Sequence, residues 1–516
     1  MKDSSQLKIN RREMKKILTI VVLLCSFFFS SCKKWLDVKP QGENTQEELF
    51  KTEKGFRDAL TGAYIRLKGG DIYGGSLMWG NIEYMAQNWD NVNSNNQFLS
   101  ALVSGNYVQA DVRERLDNTY RDLYKVIADV NGLLGNIEDK KLVFTAGNYE
   151  LIKGESLALR AFCHFDALRL FGPIPSSPGA IKQLPYVKNV SKEINDPLTF
   201  QEFTQAVLAD LDQAEALLKA VDPITKYSIA QLNPVEAGIT PVLSDNYLLY
   251  RQVRMNYYAV LALKARVYMW LAASNEAEKM NASKYAKMVI EAVDPAGIPM
   301  FRLGQESDRA AEDYTMSSEH IAALSVYNLE SIANSTFGEN GNLQRYDFNI
   351  SDGFYYLNNL FPVSERTSDI RWKGMWTYKS GSGQTSYVMY KKFIQKAVLP
   401  KYQVLQVPLL RLSEMYLIQT EAADNKAAAE AVYAAFCSKK GIPFSGFNAA
   451  DWQSDRRNKM IREYVRELYG EGQTFFTYKR YNLSTLPQSW TYAYYNAKPE
   501  KYLVPKPLRE VNYNNN

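Results

Sequence analysis

The spacing of apolar and polar positions along the chain repeats a helix face many times over. Phe56, Ala59, Leu60, Ala63, Tyr64 and Leu67 recur at three- and four-residue steps, which lays one apolar stripe along a helix. Tyr120, Leu123, Tyr124, Ile127, Val130 and Leu134 do the same, and so does the stretch from Leu151 to Phe171, stopped by Gly172-Pro173. Thr45 with Glu48 and Thr199 with Glu202 have the spacing of capping boxes; the second is followed by Phe203, Val207, Leu211, Ala214 and Leu218. Helical patterns continue over 248–273, 283–293, 409–423, 426–437 and 455–471. Strand-like alternation is confined to Ile321–Tyr327 and Tyr387–Phe393. The pattern predicts a mainly α fold of stacked helical hairpins with little β. No strict 34-residue period is visible, so a tetratricopeptide-like array would be degenerate. Two long stretches, 69–111 and 328–385, carry no clear period and are expected to be irregular loops; loops of that length usually bind something.

The first 31 residues differ from the rest. Six basic residues and two acidic ones accompany a thirteen-residue apolar run, Ile17 to Phe29. That run is short for a spanning helix and right for a signal-peptide core. Phe29-Ser30-Ser31-Cys32 resembles a bacterial lipobox, with Phe29 where Leu is commonest, so Cys32 is expected to be acylated and to become the mature N-terminus; ordinary cleavage near Ser31 is the alternative. The expected organisation is a lipoprotein signal peptide over 1–31, a tether over 32–44 containing Pro40 and Gly42, and a single α-helical domain over 45–516.

Charge and cysteine counts narrow the function. The formal net charge is +5, of which the leader holds +4, so the body is nearly neutral and shows no basic stripe for nucleic acid. With Cys25 in the signal and Cys32 at the lipid site, Cys163 and Cys437 remain, both in helical patterns, and are expected to be two buried thiols. His164 and His320 are the only histidines and stand 156 positions apart, which leaves no zinc-hydrolase pattern. Ser380-Gly381-Ser382-Gly383 lacks the ending of a phosphate loop, and no GxSxG elbow occurs. No metal or cofactor is expected, and no enzyme.

Several helix patterns together resemble the SusD/RagB family. Gly154-Glu155-Ser156-Leu157-Ala158-Leu159-Arg160-Ala161, running on to Leu170-Phe171-Gly172-Pro173-Ile174-Pro175, is similar to the family's GEA-x-FLRA…LYG-x-VP stretch. Arg411-Leu412-Ser413-Glu414 with Glu421-Ala422 resembles its RYAE…AEA helix. Glu463, Glu467, Leu468, Glu471, Gly472 and Arg480 match its ERR-x-EL-x-FEG-x-R-x-x-D-x-x-R helix, with Tyr464, Thr474 and Thr477 in place of the usual Arg, Arg and Asp. Trp35-Leu36-Asp37-Val38 and the closing Val504-Pro505-Lys506-Pro507 fit as well. The resemblance implies a tetratricopeptide-like fold. It also implies an outer-membrane lipoprotein, facing the cell surface, that lids a SusC-like TonB-dependent β-barrel transporter and captures a nutrient such as an oligosaccharide. A RagB-like peptide-capturing lipoprotein and a non-catalytic envelope scaffold are the alternatives. Glu155, Arg160, Arg411 and Glu414 are expected to pair across helices, since partly buried charges need partners.

The aromatic content, 8 Trp, 35 Tyr and 23 Phe, supplies ligand candidates, because sugar rings stack on Trp and Tyr while their hydroxyls want amides and carboxylates. Tyr73, Trp79, Asn88, Trp89 and Asp90 interleave rings with polar groups in the first long segment. Tyr346, Tyr355 and Tyr356 do so in the second. Two readings of Trp79 and Trp89 stay open, a sugar platform or a plug over the helix stack. Asp369-Ile370-Arg371 resembles the family's D-P-R element, and that resemblance implies that the neighbouring Trp372 and Trp376 pack.

Overall fold

A computed structural model of the chain describes Arg12 and residues 46–89, 96–339, 341–346, 357, 360–380, 386–394, 405–487, 494–496 and 499–513. The signal apart from Arg12, the tether, Cys32, Thr45, Asp90, Tyr355 and Tyr356 lie outside the described residues. Residues Met1–Lys51 form one unit, of which Gln46–Leu49 is a helical turn; Thr52–Asn516 forms the other and holds the helical stack.

Ten principal helices run through this larger unit: α1 Glu53–Leu67, α2 Ala110–Ile137, α3 Asn148–Phe171, α4 Phe200–Val221, α5 Tyr257–Leu271, α6 Glu278–Ile290, α7 Leu412–Ala422, α8 Lys426–Lys440, α9 Trp452–Glu467 and α10 Thr474–Tyr481. Each packs on its sequence neighbour from α1 to α8, α9 packs on α7, and α10 on α9. The fold is mainly α, a tetratricopeptide-like stack with little β. α1 buries Phe56, Leu60, Ala63, Tyr64 and Leu67 from its apolar stripe and is capped by Thr52, whose side chain accepts from Gly55 N. The Thr199–Glu202 capping box is present in full.

α3 is the centre of the stack and is buried on nearly every side. Charged residues on such a helix must be paired, and they are. Arg160 forks onto Asp210 (2.7 and 2.8 Å) and also donates to Asn131; Asp166 pairs with Arg169. Glu155 is bound by Arg251, which forks onto Asp222 (2.8 and 3.1 Å), and by the Tyr64 hydroxyl. The same holds further on: Glu414 takes two bonds from Arg266, and Arg411 pairs with Glu467. Cys163 and Cys437 are buried free thiols. Burial pushes the His164 imidazole down to about 3, and its Nε2 accepts from Val187 N, a neutral packing residue stacked on Tyr186.

Three stretches depart from the sequence pattern. Gln406–Arg411 is a strand, antiparallel to His320–Ser325, so the helix expected from 409 begins only at Leu412. The helix expected from 248 begins at Tyr257, because Tyr250 takes a left-handed backbone (φ 55°) and the Asn256 side chain caps the later start. The stretches 69–111 and 328–385 hold elements of their own, including Gln97–Ser104, Leu329–Phe337 and the strands Arg345–Tyr346 and Trp376–Ser380, which flank Ser386–Tyr390 in a three-stranded sheet.

The C-terminal residues return to the start of the stack. Lys501 Nζ donates to Val103 O, Tyr107 Oη to Lys501 O, and Arg113 to Lys506 O. From α10, Lys479 Nζ donates to Leu170 O and Gly172 O at the end of α3.

Candidate functional site

The two long segments meet, and they do so by burying their rings. Trp89 is fully buried, ringed by Tyr469 at 5.0 Å between centroids, Phe337 at 5.5 Å, Tyr390 at 5.9 Å and Trp376 at 6.2 Å. Its indole N–H donates to Glu83 Oε2 at 2.7 Å. Glu83 itself is buried and also accepts from Gly472 N at 2.9 Å. Gly472 is needed there: its φ is +68°, and a Cβ would stand 2.0 Å from Leu77 O. Burial pushes the Glu83 carboxyl up to about 7, against the pull of Trp89, Gly472 and Asn88.

This arrangement decides the first group of ring candidates. Trp89, Asn88 and Tyr73 are interior, and Trp79 keeps only 6% of its surface, packed edge-on to Phe393. Tyr73 donates to Asp166, and Arg345 donates to Asn88 O at 2.5 Å. None of the four exposes a ring face or an amide in this structure, which is the geometry of the plug reading for Trp79 and Trp89. The physical reason is the carboxylate beneath: an indole N–H satisfied inside a ring cluster gains from burial as well as from its hydrogen bond. Trp376 is buried as expected, while Trp372 is half-buried with the Arg366 guanidinium 4.2 Å above it.

The aromatic joint supports the small sheet. Trp376 and Tyr390 are cross-strand partners whose rings lie 4.4 Å apart, tilted by 35°. Tyr378, two residues on, is 41% exposed, so the strand passes from core to solvent within three residues. The register sets Tyr346 beside Tyr387 and Tyr387 beside Lys379, one row across three strands. Tyr346 is thus on a strand held by the joint; Asp90, Tyr355 and Tyr356 belong to sequence outside the described residues.

A cleft of about 480 Å³ lies elsewhere, between residues 178–180, the start of α4 and the end of α5. Gln201, Gln205, Ser274 and Asn275 are exposed around it, with Phe200, Leu208 and Leu271 beneath. Sequence reasoning missed this cleft. Its residues come from two helices some seventy positions apart, and each polar residue alone looks like an ordinary solvated helix face. Among the described residues, no three His, Cys, Asp or Glu converge as metal ligands, and no helix is long and apolar enough to cross a membrane.

Comparison with known proteins gives a consistent picture. A family model described as "Starch-binding associating with outer membrane" matches residues 34–234, and one described as "SusD family" matches 334–516. SusD-like proteins P38 and P25 of Formosa agariphila are 26% and 24% identical over 229 and 220 residues. Those matches cover 44% and 41% of this chain and 42% and 39% of the relatives, so the chain spans about two-fifths of their length. Among solved structures, a SusD superfamily protein from Bacteroides thetaiotaomicron superposes with a TM-score of 0.65 at 20% identity, covering 90% of this chain and 98% of that one. A SusD-like carbohydrate binding protein from Bacteroides vulgatus gives 0.62 at 19% identity, covering 84% of each. At those identities the superpositions speak to the fold.

Proposed function

Because the chain belongs to the SusD/RagB family, we propose that it is a non-catalytic glycan-binding lipoprotein of the outer membrane, the lid subunit of a SusC-like TonB-dependent importer. The observation that carries this reading is the ordered match of the two family models, one of them named for starch binding, to the two halves of the chain. The fold suits it: rigid, ion-paired helices hold a small sheet and its neighbouring segments, and recognition falls to what a rigid frame presents. Lipidation at Cys32 supplies the anchor in this reading, with the protein facing the cell surface.

The proposed ligand groups are Tyr346 with its cross-strand neighbours Tyr387 and Lys379, together with Tyr355, Tyr356 and Asp90. Trp79 and Trp89 serve the site from beneath, by holding the sheet. The cleft at the start of α4 is a second candidate surface, favoured by its exposed amides over an apolar floor. Calorimetry with a panel of oligosaccharides tests the reading. Removing one stacking ring, as in Tyr346→Ala, should weaken binding about five- to tenfold, whereas Gln205→Ala would do so if the cleft is the site. Tagged protein should also bring down a large β-barrel from solubilised membranes. Binding of peptides and of no oligosaccharide would replace this reading with the RagB-like one; binding of neither would leave the scaffold.

A further inference from the structure

A small cavity of about 40 Å³ lies where α3, α5, α7, α9 and α10 converge. Its lining includes three arginines, Arg169, Arg266 and Arg480, and one carboxylate, Glu414. Both Glu414 oxygens are taken by Arg266, through Nε at 2.7 Å and Nη2 at 2.6 Å. Arg169 pairs with Asp166 and Arg480 with Glu421, neither of which lines the cavity. Burial holds the Arg169 guanidinium below its ordinary value; Asp166 pulls the other way, and the neighbouring Arg266 charge adds to the depression.

Three lining residues also carry buried polar atoms without a partner among the described residues: Arg266 Nη1, Trp270 Nε1 and Tyr464 Oη. Two of those atoms can only donate, and the third is a hydroxyl that is free to donate. Buried donors of this kind are nearly always satisfied. The volume exceeds the roughly 10–15 Å³ that one water needs, and three unpartnered donors suit a guest that only accepts.

The location has a sequence counterpart. Tyr464, Thr474 and Thr477 are among the positions at which this chain departs from the family motif it resembles, and two of them line the cavity. The hydroxyl of the third, Thr474, is buried and also lacks a partner among the described residues. At 464, 474 and 477 the motif has Arg, Arg and Asp, so this chain lacks both the carboxylate and two guanidiniums at this place, and three uncharged hydroxyls stand instead.

We propose that this cavity is a binding site for a single small monovalent anion of the halide class. The ion accepts from Arg266 Nη1, Trp270 Nε1 and Tyr464 Oη, and ties α5 to α9.

Thermal unfolding of the full mature chain in sodium gluconate, with chloride or bromide substituted at constant ionic strength, tests this. The midpoint should rise by about 2–4 °C at halide concentrations of about a hundred times Kd, climbing with the logarithm of halide concentration. Thr477→Asp should remove that dependence. A crystal soaked in bromide should show an anomalous peak within reach of Arg266, Trp270 and Tyr464. Equal midpoints in gluconate and chloride would overturn the proposal, and so would water alone in the cavity of a halide-soaked crystal. If Thr477→Asp does not fold, the soaked crystal and the titration of the natural chain still decide.

Discussion

Truncating Trp89 is the sharpest way to separate a core residue from a sugar platform. The ring touches four other rings and is fully buried, and its N–H is one of the donors that hold the Glu83 carboxyl. Removing a buried Trp side chain costs about 3–5 kcal/mol, the upper end applying where neighbours cannot collapse. Here they are held by other bonds: Tyr390 to Tyr469 O at 3.2 Å, and Arg345 to Asn88 O. Trp89→Ala should therefore lose about 4–5 kcal/mol. Trp89→Phe keeps most of the ring and discards the donor, and should lose about 1–3 kcal/mol, the cost of leaving a buried acceptor short. Denaturant unfolding followed by fluorescence reads both as a shift in midpoint at unchanged slope. A loss below about 1 kcal/mol in Trp89→Ala, with oligosaccharide affinity reduced, would refute the packing argument and return the residue to the ligand face.

Three further outcomes are expected. The Glu83 carboxyl, raised to about 7 from its ordinary 4.5, binds more protons folded than unfolded between those values. Stability should therefore fall as the pH rises from 4.5 to 7 and stay low above; Glu83→Gln should flatten that slope by up to about 3 kcal/mol, and parallel pH curves for the two proteins would contradict it. Arg251→Ala strands Glu155 and Asp222 in the interior and should lower stability by about 3–5 kcal/mol in denaturant unfolding, a loss under about 1 kcal/mol counting against the pairing. Cys32→Ala should move the protein from the membrane fraction to the soluble one and abolish fatty-acid labelling, since the acyl chains are the proposed anchor.

The helices were legible because an apolar stripe at period 3.6 leaves few alternatives, and α1, α2 and α4 follow their stripes closely. The pairing of Glu155, Arg160, Arg411 and Glu414 was legible too, since a charge inside an apolar helix pattern has to find a partner. The boundary errors have local causes. Pro408-Leu409-Leu410 continues the apolar spacing of α7 although its backbone bonds go to His320–Ser325. Leu248 and Leu249 likewise extend the α5 pattern, while Arg251 is drawn off to Glu155 and Asp222. The site was the least legible part. A loop of Trp, Asn and Gly has one composition whether it covers a core or meets a sugar; what separates the two is a carboxylate at Glu83 and a glycine at 472, nearly four hundred positions apart.

The bonds joining Lys501 and Lys506 to Val103, Tyr107 and Arg113 bear on how the chain acquires its fold. A stack of helical repeats normally has two free ends, each able to peel away while the middle holds, and each able to form as soon as its own residues exist. Here the opening helices have the last described segment as a neighbour, with α10 gripping the end of α3. A ribosome that has made roughly the first three hundred residues has made a row of helices without the partner that closes their side. The early part lacks that side until residues 501–506 have been made. Loss of a few residues near the C-terminus should then damage the beginning of the stack, far away in sequence, as much as its end.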